Sequence, residues 1–488
     1  MAELVLGPVV GGVHAHGAKL WGRADEQTMM YAWIGREPDL SDAQYVGATL
    51  LSADTGFAGV VSLSDLQPDT RYHYTLTLDE TPPHPQSGPY PSFRTAPEEG
   101  DDQPIAFAFG SCFLPRRPED DAIFTALDQR RLEEDLRFWL LLGDQIYADA
   151  WDANGLGRVA LTADDYRAIY RHNWSRPALR HLLAHLPAYM IWDDHEVDDD
   201  WHWTNLDRLT ADIPWWDKAI RWWHRRPREE RHLSRKRVRA ALQAYWEHQV
   251  LHAPPLLHPP EGADIQRPQI LMGDEGHFGY TFTYGNAAFF VLDTRFHRVK
   301  APEQRRLLNP AQWRALENWL LAMRDRFPFK FIVSSISLLS DSWADLARDR
   351  WNGFPDERRR LLHLIAAHRV PGLFILTGDL HAGHAIRAEI RTEDGERLTL
   401  WEFCASPFAQ KINGLARYLW RAHAPWPVRR LQRLFVVDRP HFGVVRLTSG
   451  PEPGVSFTVY DAQNQPLHQV WVPHPMGGTE SLLAEPEP

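Results

Sequence analysis

Residues 138–149 read FWLLLGDQIYAD, an apolar run that ends abruptly at Gly143 and Asp144. A short, uninterrupted apolar run closed by a turn residue is typical of a strand that is buried on both faces. Five further runs have the same form: IAFAFGSC (105–112), AYMIWDD (188–194), AAFFVLDTR (287–295), KFIVSSISLLSD (330–341) and GLFILTGDLH (372–381). Helix-like stretches separate them, so the sequence predicts an α/β domain. Its polar strand ends should meet at the sheet edge where such domains bind ligands.

Composition narrows the class of protein. The chain has 488 residues, enough for two or three domains, and 44% of them are hydrophobic. Its net charge of −11 argues against a specific nucleic-acid partner, which would need a basic surface. No apolar stretch is long enough to span a membrane. The first residues, MAELVLGPVVGGV, have neither the basic start nor the long apolar stretch of a signal peptide, so we expect a cytoplasmic protein.

The acidic stretch IWDDHEVDDDW (191–201) contains six carboxylates and one histidine. A solvated acidic loop is the simplest interpretation, and a cage for cations is the alternative. Buried carboxylates that are crowded together raise one another's pKa, and bound cations remove that cost. The stretch follows an apolar run, so the second interpretation fits the predicted sheet edge.

Several side chains suited to cation binding follow the predicted strands. Asp144 and Tyr147 follow the second run, Asp194 and His195 the third, and Asp379, His381 and His384 the last. Carboxylate, phenolate and imidazole groups are ligands for hard or borderline cations. Each motif alone has a plainer interpretation: Gly-Asp is usually a turn, His-x-x-His is usually structural, and a lone Cys112 is usually a small buried apolar residue. Their joint occurrence at strand ends favours a site with two cations, which can clamp a phosphoryl group and make hydroxide from water.

The order of these motifs resembles one known family. GSC, GDQIYAD, WDDHE, LDTR and GDLHAGH follow one another as in the alkaline phosphatase D (PhoD-like) family of metallophosphoesterases. YTFTYGNAAFFVLDTRFHR, DRWNGFPDERRRLL and the β-rich N-terminus are also similar to segments of that family. The resemblance covers roughly residues 3–465.

The resemblance implies an architecture. Residues 1–97 would form an all-β immunoglobulin- or fibronectin-like sandwich, and residues 98–473 a calcineurin-like four-layer α/β/β/α catalytic domain. Residues 201–255 are expected to be a helical insertion, with a substrate lid and a surface hairpin equally open, and residues 474–488 a flexible tail. The basic, aromatic stretch Tyr418–Phe435 is expected to be a solvated amphipathic helix, with contact to a phosphate-bearing or membrane surface as the alternative.

The resemblance also implies a centre with iron (Fe3+) and a second ion, calcium (Ca2+), with other divalent ions left open. Asp144 would bridge the two ions, and Tyr147 and Cys112 would bind iron as phenolate and thiolate. Asp194 would bind the second ion, and Asp379 and His381 would each bind one of the two. Two further residues of the same motifs are either ligands or neighbours of ligands: Asp193 and His384.

Two residues have roles beyond metal binding. His195 would lie near the leaving oxygen as an acid or electrostatic donor, as the resemblance implies. Arg295 is a candidate phosphate clamp, because its fork suits phosphate oxygens, and a salt bridge to a nearby acid is the equal alternative. Asp198, Asp199 and Asp200 exceed what two ions need, so at least one should be solvated or structural.

Together these features predict a metal-dependent phosphoester hydrolase in which metal-bound hydroxide attacks phosphorus in line. The substrate would be a small-molecule or polymer phosphoester, with diesters slightly favoured over monoesters because the family includes diesterases. Two alternatives stay open: a non-catalytic protein that binds a glycan or a phosphate headgroup, and a metal-dependent hydrolase of carboxylic esters or lactones. The oligomeric state is open.

Overall fold

The computed structural model describes residues 2–202, 228–260, 276–342, 349–412, 420–422 and 424–474. The strands are β1 (Leu4–His14), β2 (Gly17–Ala24), β3 (Thr28–Gly35), β4 (Gln44–Leu51), β5 (Ala58–Leu63), β6 (Arg71–Thr77), β7 (Ser92–Arg94), β8 (Ile105–Gly110), β9 (Leu136–Leu142), β10 (Ala188–Ile191), β11 (Leu256–His258), β12 (His277–Tyr284), β13 (Ala287–Val291), β14 (Phe329–Ser334), β15 (Ser340–Ser342), β16 (Leu373–Thr377), β17 (Gly383–Arg391), β18 (Arg397–Cys404), β19 (Trp420–Ala422), β20 (Val428–Val437), β21 (His441–Thr448), β22 (Gly454–Asp461) and β23 (Pro466–Pro473). The helices are α1 (Ala122–Glu133), α2 (Ala163–Trp174), α3 (Pro177–His185), α4 (Arg228–Arg231), α5 (Arg235–Tyr245), α6 (Pro310–Met323) and α7 (Pro355–His368). The six predicted buried strands are confirmed as β8, β9, β10, β13, β14 and β16.

Two large mixed sheets form the centre of the molecule. The nine-stranded sheet has the order β23-β22-β21-β8-β9-β10-β1-β2-β5, and β8, β9 and β10 are parallel. The eight-stranded sheet has the order β11-β12-β13-β14-β16-β18-β17-β20, and β13, β14, β16 and β18 are parallel. Parallel strands end at the same edge of a sheet, so the polar residues that follow them are brought together.

Alternate side chains of each large sheet pack against the other sheet or against helices. Phe138 of β9 packs against Phe289 of β13 with ring centres 5.6 Å apart, which joins the sheets. The next residue, Trp139, points the other way and packs on Phe124 of α1 at 6.1 Å. In the second sheet Phe290 likewise faces away from the first sheet and packs on a tryptophan of α6. Each large sheet therefore has one face on the other sheet and one face on helices, as the two-residue period of a strand requires.

The N-terminal region is built from strands β1 to β7. Four of them form a separate sheet in the order β4-β3-β6-β7, while β1, β2 and β5 continue the nine-stranded sheet. The connection is the parallel pairing of β1 with β10, where Gly11 lies opposite Ala188. A small core that includes Leu20, Met30 and Tyr74 joins the two groups of strands. The predicted boundary at residue 97 is therefore not a boundary between sheets, and the immunoglobulin-like topology stays a prediction.

The structure differs from one further prediction. The predicted helix within Tyr418–Phe435 is wrong in its described part, because Val428–Val437 is strand β20 at the edge of the eight-stranded sheet. Its apolar residues recur at helical spacing, yet pairing with β17 determines the local conformation.

The structure describes part of the predicted helical insertion: α4, α5 and a π-helical turn over Trp246–Val250. Residues 203–227, 413–419 and the tail from 475 lie outside the described residues. Among the described helices, none is both long and apolar enough to cross a membrane.

Candidate metal centre

The polar ends of β8, β9, β10 and β16 converge on one point. Potential ligand atoms lie within 4.8 Å of one another in three groups: Cys112 with Asp144 and His381; Asp144 with Asp194 and His195; and Asp144 with Asp193, Asp194 and Asp379. Asp144 belongs to all three groups, as a carboxylate shared by two cations would. The structure thus brings together seven of the residues that the sequence marked as metal-binding or catalytic.

The backbone of the ligand-bearing loops turns sharply after each strand. Cys112, Asp144, Asp379 and His381 have φ values of 62°, 57°, 65° and 50°, in the left-handed region that residues other than glycine seldom adopt. Such conformations cost about 1–3 kcal/mol each and persist where the surrounding structure fixes them. The residue before Asp144 has to be glycine, because a Cβ atom on Gly143 would collide with Asp193. The loops that carry Asp144 and Asp193 are therefore in direct contact.

One side of the centre combines a thiol, a phenol and an imidazole. The Sγ atom of Cys112 lies 3.3 Å from Oδ2 of Asp144, and the hydroxyl of Tyr147 lies 3.2 Å from the same oxygen. The hydroxyl of Tyr147 is also 3.2 Å from Nε2 of His381. Burial, followed by the charge of Asp144, raises the pKa of both Cys112 and Tyr147 well above the usual values. Burial lowers the pKa of His381 to about 3, so its ring is neutral, the form in which imidazole binds metals.

The other side of the centre is a group of carboxylates. Burial, followed by the charges of Asp194 and Asp193, raises the pKa of Asp144 well above its usual value despite the opposing effect of His195. Burial raises the pKa of Asp379 to about 8, although Arg350 opposes the shift. Among the described residues, Oδ2 of Asp193 is buried without a hydrogen-bond partner, and Oδ2 of Asp379 makes no hydrogen bond but forms an ion pair with Arg350 at 3.3 Å. A buried carboxylate oxygen that lacks a donor, such as Oδ2 of Asp193, fits a bound cation, which would replace the missing donor.

Glu196 fixes the two acidic loops, and the sequence reasoning gave it no role. Its carboxylate accepts hydrogen bonds from the backbone N–H groups of Asp144 (3.0 Å), Gln145 (2.8 Å) and Asp193 (2.9 Å). It is fully buried, and burial raises its pKa to about 7. Its position in WDDHE, directly after Asp194 and His195, was the available signal.

His195 is held by a carboxylate that the sequence reasoning also left without a role. Nδ1 of His195 lies 2.8 Å from Oδ1 of Asp149, and the ring packs on Tyr147 with centres 4.0 Å apart. Burial lowers the pKa of His195, but the charges of Asp149, Asp194 and Asp144 outweigh it, so the pKa is raised well above its usual value. The ring can therefore carry a proton on Nε2, the nitrogen not engaged by Asp149.

Arg295 lies beneath the centre. Its side chain is 0% exposed and pairs with Asp193 and, at 2.7 Å, with Asp349. A fully buried guanidinium with these partners cannot reach a substrate, so the structure corrects the phosphate-clamp prediction in favour of the salt bridge. Arg350, which the sequence reasoning did not single out, is 14% exposed and lies 3.3 Å from Oδ2 of Asp379.

The remaining candidates lie outside the ligand groups. Nε2 of His384 is 2.9 Å from Oε1 of Glu402 in a buried pair, which leaves that nitrogen facing away from the centre. The ligand prediction for His384 is therefore not supported. Asp198 is structural, because it binds the buried Arg237 at 3.0 Å. Asp200 pairs with Lys300, while Asp199 is about half exposed. The acidic stretch therefore combines potential cation ligands with carboxylates in structural ion pairs.

The fold, the candidate centre and the family match together place the chain in a family of phosphatases. Two stacked mixed sheets carry carboxylates, a thiol and imidazoles at their strand ends. The chain belongs to the PhoD-like phosphatase family, whose model matches residues 107–453. A second model, described as a domain of unknown function (DUF7800), matches residues 1–95.

Relatives agree with this family. Alkaline phosphatase D of Bacillus subtilis (strain 168) is 26% identical over 365 residues, which cover 68% of this chain and 54% of the relative. The chain thus spans about half the length of that curated relative. A solved structure of PhoD matches with a TM-score of 0.68 at 20% identity, and the match covers 96% of this chain and 92% of the PhoD chain. A purple acid phosphatase from yellow lupin (Lupinus luteus) has a TM-score of 0.60 at 12% identity, covering 98% and 77%. At these identities the two structures show a shared fold.

Proposed function

We propose that this protein hydrolyses phosphoesters with two cations bound around Asp144. The observation that carries the proposal is that three groups of potential ligand atoms share this one carboxylate. Residues 98–473 would be the catalytic unit.

The residues present fit two different cations. Cys112, Tyr147 and His381 would hold the first with Asp144, and this set of sulfur, phenolate and imidazole suits iron. Asp144 and Asp194 would hold the second, with the oxygens of Asp193 and Asp379 beside them, and an all-carboxylate set suits calcium. When bound, two such cations neutralise phosphoryl oxygens and activate water for attack on phosphorus.

His195 would supply the proton that the leaving oxygen needs. Its Nδ1 atom is engaged by Asp149 at 2.8 Å, which orients the ring and leaves Nε2 as the donor. Oδ1 of Asp199 lies 3.9 Å from Nε2. Asp149, which belongs to none of the three ligand groups, would favour the protonated ring until the leaving oxygen takes the proton.

The charge of Arg350 favours a substrate that carries negative charge. Arg350 lies beside Asp379 at 3.3 Å and is partly exposed, so its guanidinium favours an anionic ligand. An anionic ligand can be a phosphodiester or a phosphomonoester; we propose diesters as the slightly preferred class, because the PhoD-like family includes diesterases.

The test measures hydrolysis of bis(p-nitrophenyl) phosphate and p-nitrophenyl phosphate by the purified chain supplied with iron and calcium. Asp144→Asn should lower kcat by about 100-fold or more, the scale of losing a main electrostatic element. Asp356→Asn is the matched control, because that carboxylate is 91% exposed on α7, and it should keep full activity. A wild-type chain that hydrolyses neither ester with the metals supplied, or an Asp144→Asn variant as active as the control, would contradict the proposal.

A further inference from the structure

One face of strand β2 lies along the segment that follows α5. Alternate residues of the strand, which point to the same side, each make a polar contact with it. The contacts are Lys19 Nζ to the carbonyl of Ala253 (2.6 Å), Trp21 Nε1 to the carbonyl of Glu247 (2.8 Å) and Arg23 to Nε2 of His248 (3.3 Å). The N-terminal region therefore holds the π-helical turn Trp246–Val250 from one side.

The same turn reaches the metal centre from its other side. Nε2 of Gln249 donates to the hydroxyl of Tyr170 at 3.0 Å and to Oε1 of Glu196 at 3.2 Å. Glu196 in turn accepts the backbone N–H groups of Asp144 and Asp193. A continuous chain of contacts thus runs from β2 through Gln249 and Glu196 to the loops that carry the carboxylates.

Packing alone does not account for Gln249. Its side chain is fully buried, and its Oε1 atom has no hydrogen-bond partner among the described residues. An unsatisfied buried oxygen is destabilising, so an apolar residue of similar size would be more favourable there if only volume mattered. A π-helical turn is itself an uncommon conformation that occurs frequently at functional sites. Both the amide of Gln249 and the π-helical turn that carries it are explained if the hydrogen bond from Gln249 to Glu196 is needed to hold the acidic loops.

We propose that the N-terminal region, residues 1–95, is a positioning element for the metal centre, acting through Gln249 on Glu196. This region is the one that the DUF7800 family model matches. Its role would be to position the acidic loops, not to contact substrate. The inference rests on the proposed function, because the two acidic loops need fixing only if they hold cations.

The first test compares Gln249→Met with Gln103→Met in the full-length chain. Gln103 is the matched control, since its amide also donates to a carboxylate, that of Asp101 at 3.3 Å, but lies outside the turn and the metal centre. Amide hydrogen exchange of Asp144, Gln145 and Asp193 is measured without metals. We expect exchange to be about three- to tenfold faster in Gln249→Met only, the scale of one hydrogen bond. The calcium-dependent rise in melting temperature should shrink, and kcat should fall while KM changes little.

The second test asks whether the N-terminal strand acts through the same path. Trp21→Phe keeps an aromatic ring but removes the N–H group that binds the carbonyl of Glu247, and it should speed exchange of the same three amides. Trp33→Phe is its control, because Trp33 donates to Thr77 within the four-stranded sheet, remote from the turn. Amides of β22 serve as an internal reference for global destabilisation.

Specific outcomes would overturn the inference. Unchanged exchange in either Gln249→Met or Trp21→Phe would do so, as would equal acceleration at β22 or equal effects of the two controls. Because hydrogen exchange needs no substrate, a chain inactive on phosphoesters would contradict the proposed function without affecting this readout.

Discussion

Asp379 makes the metal-free protein sensitive to pH. Burial raises the pKa of its carboxyl from the ordinary 3.8 to about 8, with Arg350 opposing the shift. Between these two values the folded chain binds a proton that the unfolded chain does not, so stability falls as pH rises. Each pKa unit is worth about 1.4 kcal/mol, so the free energy of unfolding falls by about 6 kcal/mol from about pH 4 to about pH 8.

Replacing Asp379 with asparagine should remove this loss. The amide is neutral at every pH and keeps the size of the protonated carboxyl. With an unfolding entropy of roughly 2.1 cal/mol/K per residue, a chain of 488 residues gains about 1 °C in melting temperature per kcal/mol. In chelator we therefore expect Asp379→Asn to melt about 6 °C above the wild type near pH 9 and only about 2 °C above it near pH 5.

The assay is thermal unfolding at the two pH values, with chelator and with added calcium. Calcium should raise the melting temperature of the wild type and have little effect on Asp379→Asn, because a cation neutralises the same carboxylate. Asp356→Asn, on an exposed carboxylate, should follow the wild type throughout. If Asp379→Asn melts below the wild type at both pH values in chelator, the carboxylate is a structural partner of Arg350 and the reasoning is refuted.

Three further predictions concern single side chains. Tyr147→Phe should remove the phenolate-to-iron charge-transfer band from the visible spectrum of the iron-loaded protein and leave any thiolate band of Cys112; a spectrum unchanged by the substitution would exclude the phenolate as a ligand. His195→Asn should lower kcat by about 100- to 10,000-fold for alkyl phosphoesters and much less for p-nitrophenyl esters, whose leaving oxygen needs no proton; steady-state kinetics on both would show it, and equal losses would refute the acid role. His384→Gln should keep kcat and KM within about twofold, because His384 binds Glu402 and not the centre; a loss of calcium affinity by calorimetry would show otherwise.

The local pattern of the sequence was sufficient for the strands and for most of the candidate centre. A buried strand needs a continuous apolar run, and a polar residue directly after it has to lie at the sheet edge. Cys112, Asp144, Asp194 and Asp379 follow from that rule, because their positions depend only on where β8, β9, β10 and β16 end. The PhoD-like resemblance rested on the same motifs.

The roles of residues far apart in the chain depended on tertiary structure. Arg295 looked like a phosphate clamp in sequence, but stacking of the two sheets buries it against Asp193, 102 residues away. The helical spacing in Val428–Val437 was overridden by pairing with β17. Gln249 has no sequence signature for its role. The position of Glu196 in WDDHE marks it as a neighbour of the centre but does not show which backbone groups it holds, since both residues act through contacts between loops that only the packed sheets bring together. Apolar patterning therefore determined the strands and their polar ends, while long-range packing decided which polar groups face the cations and which hold the loops in place.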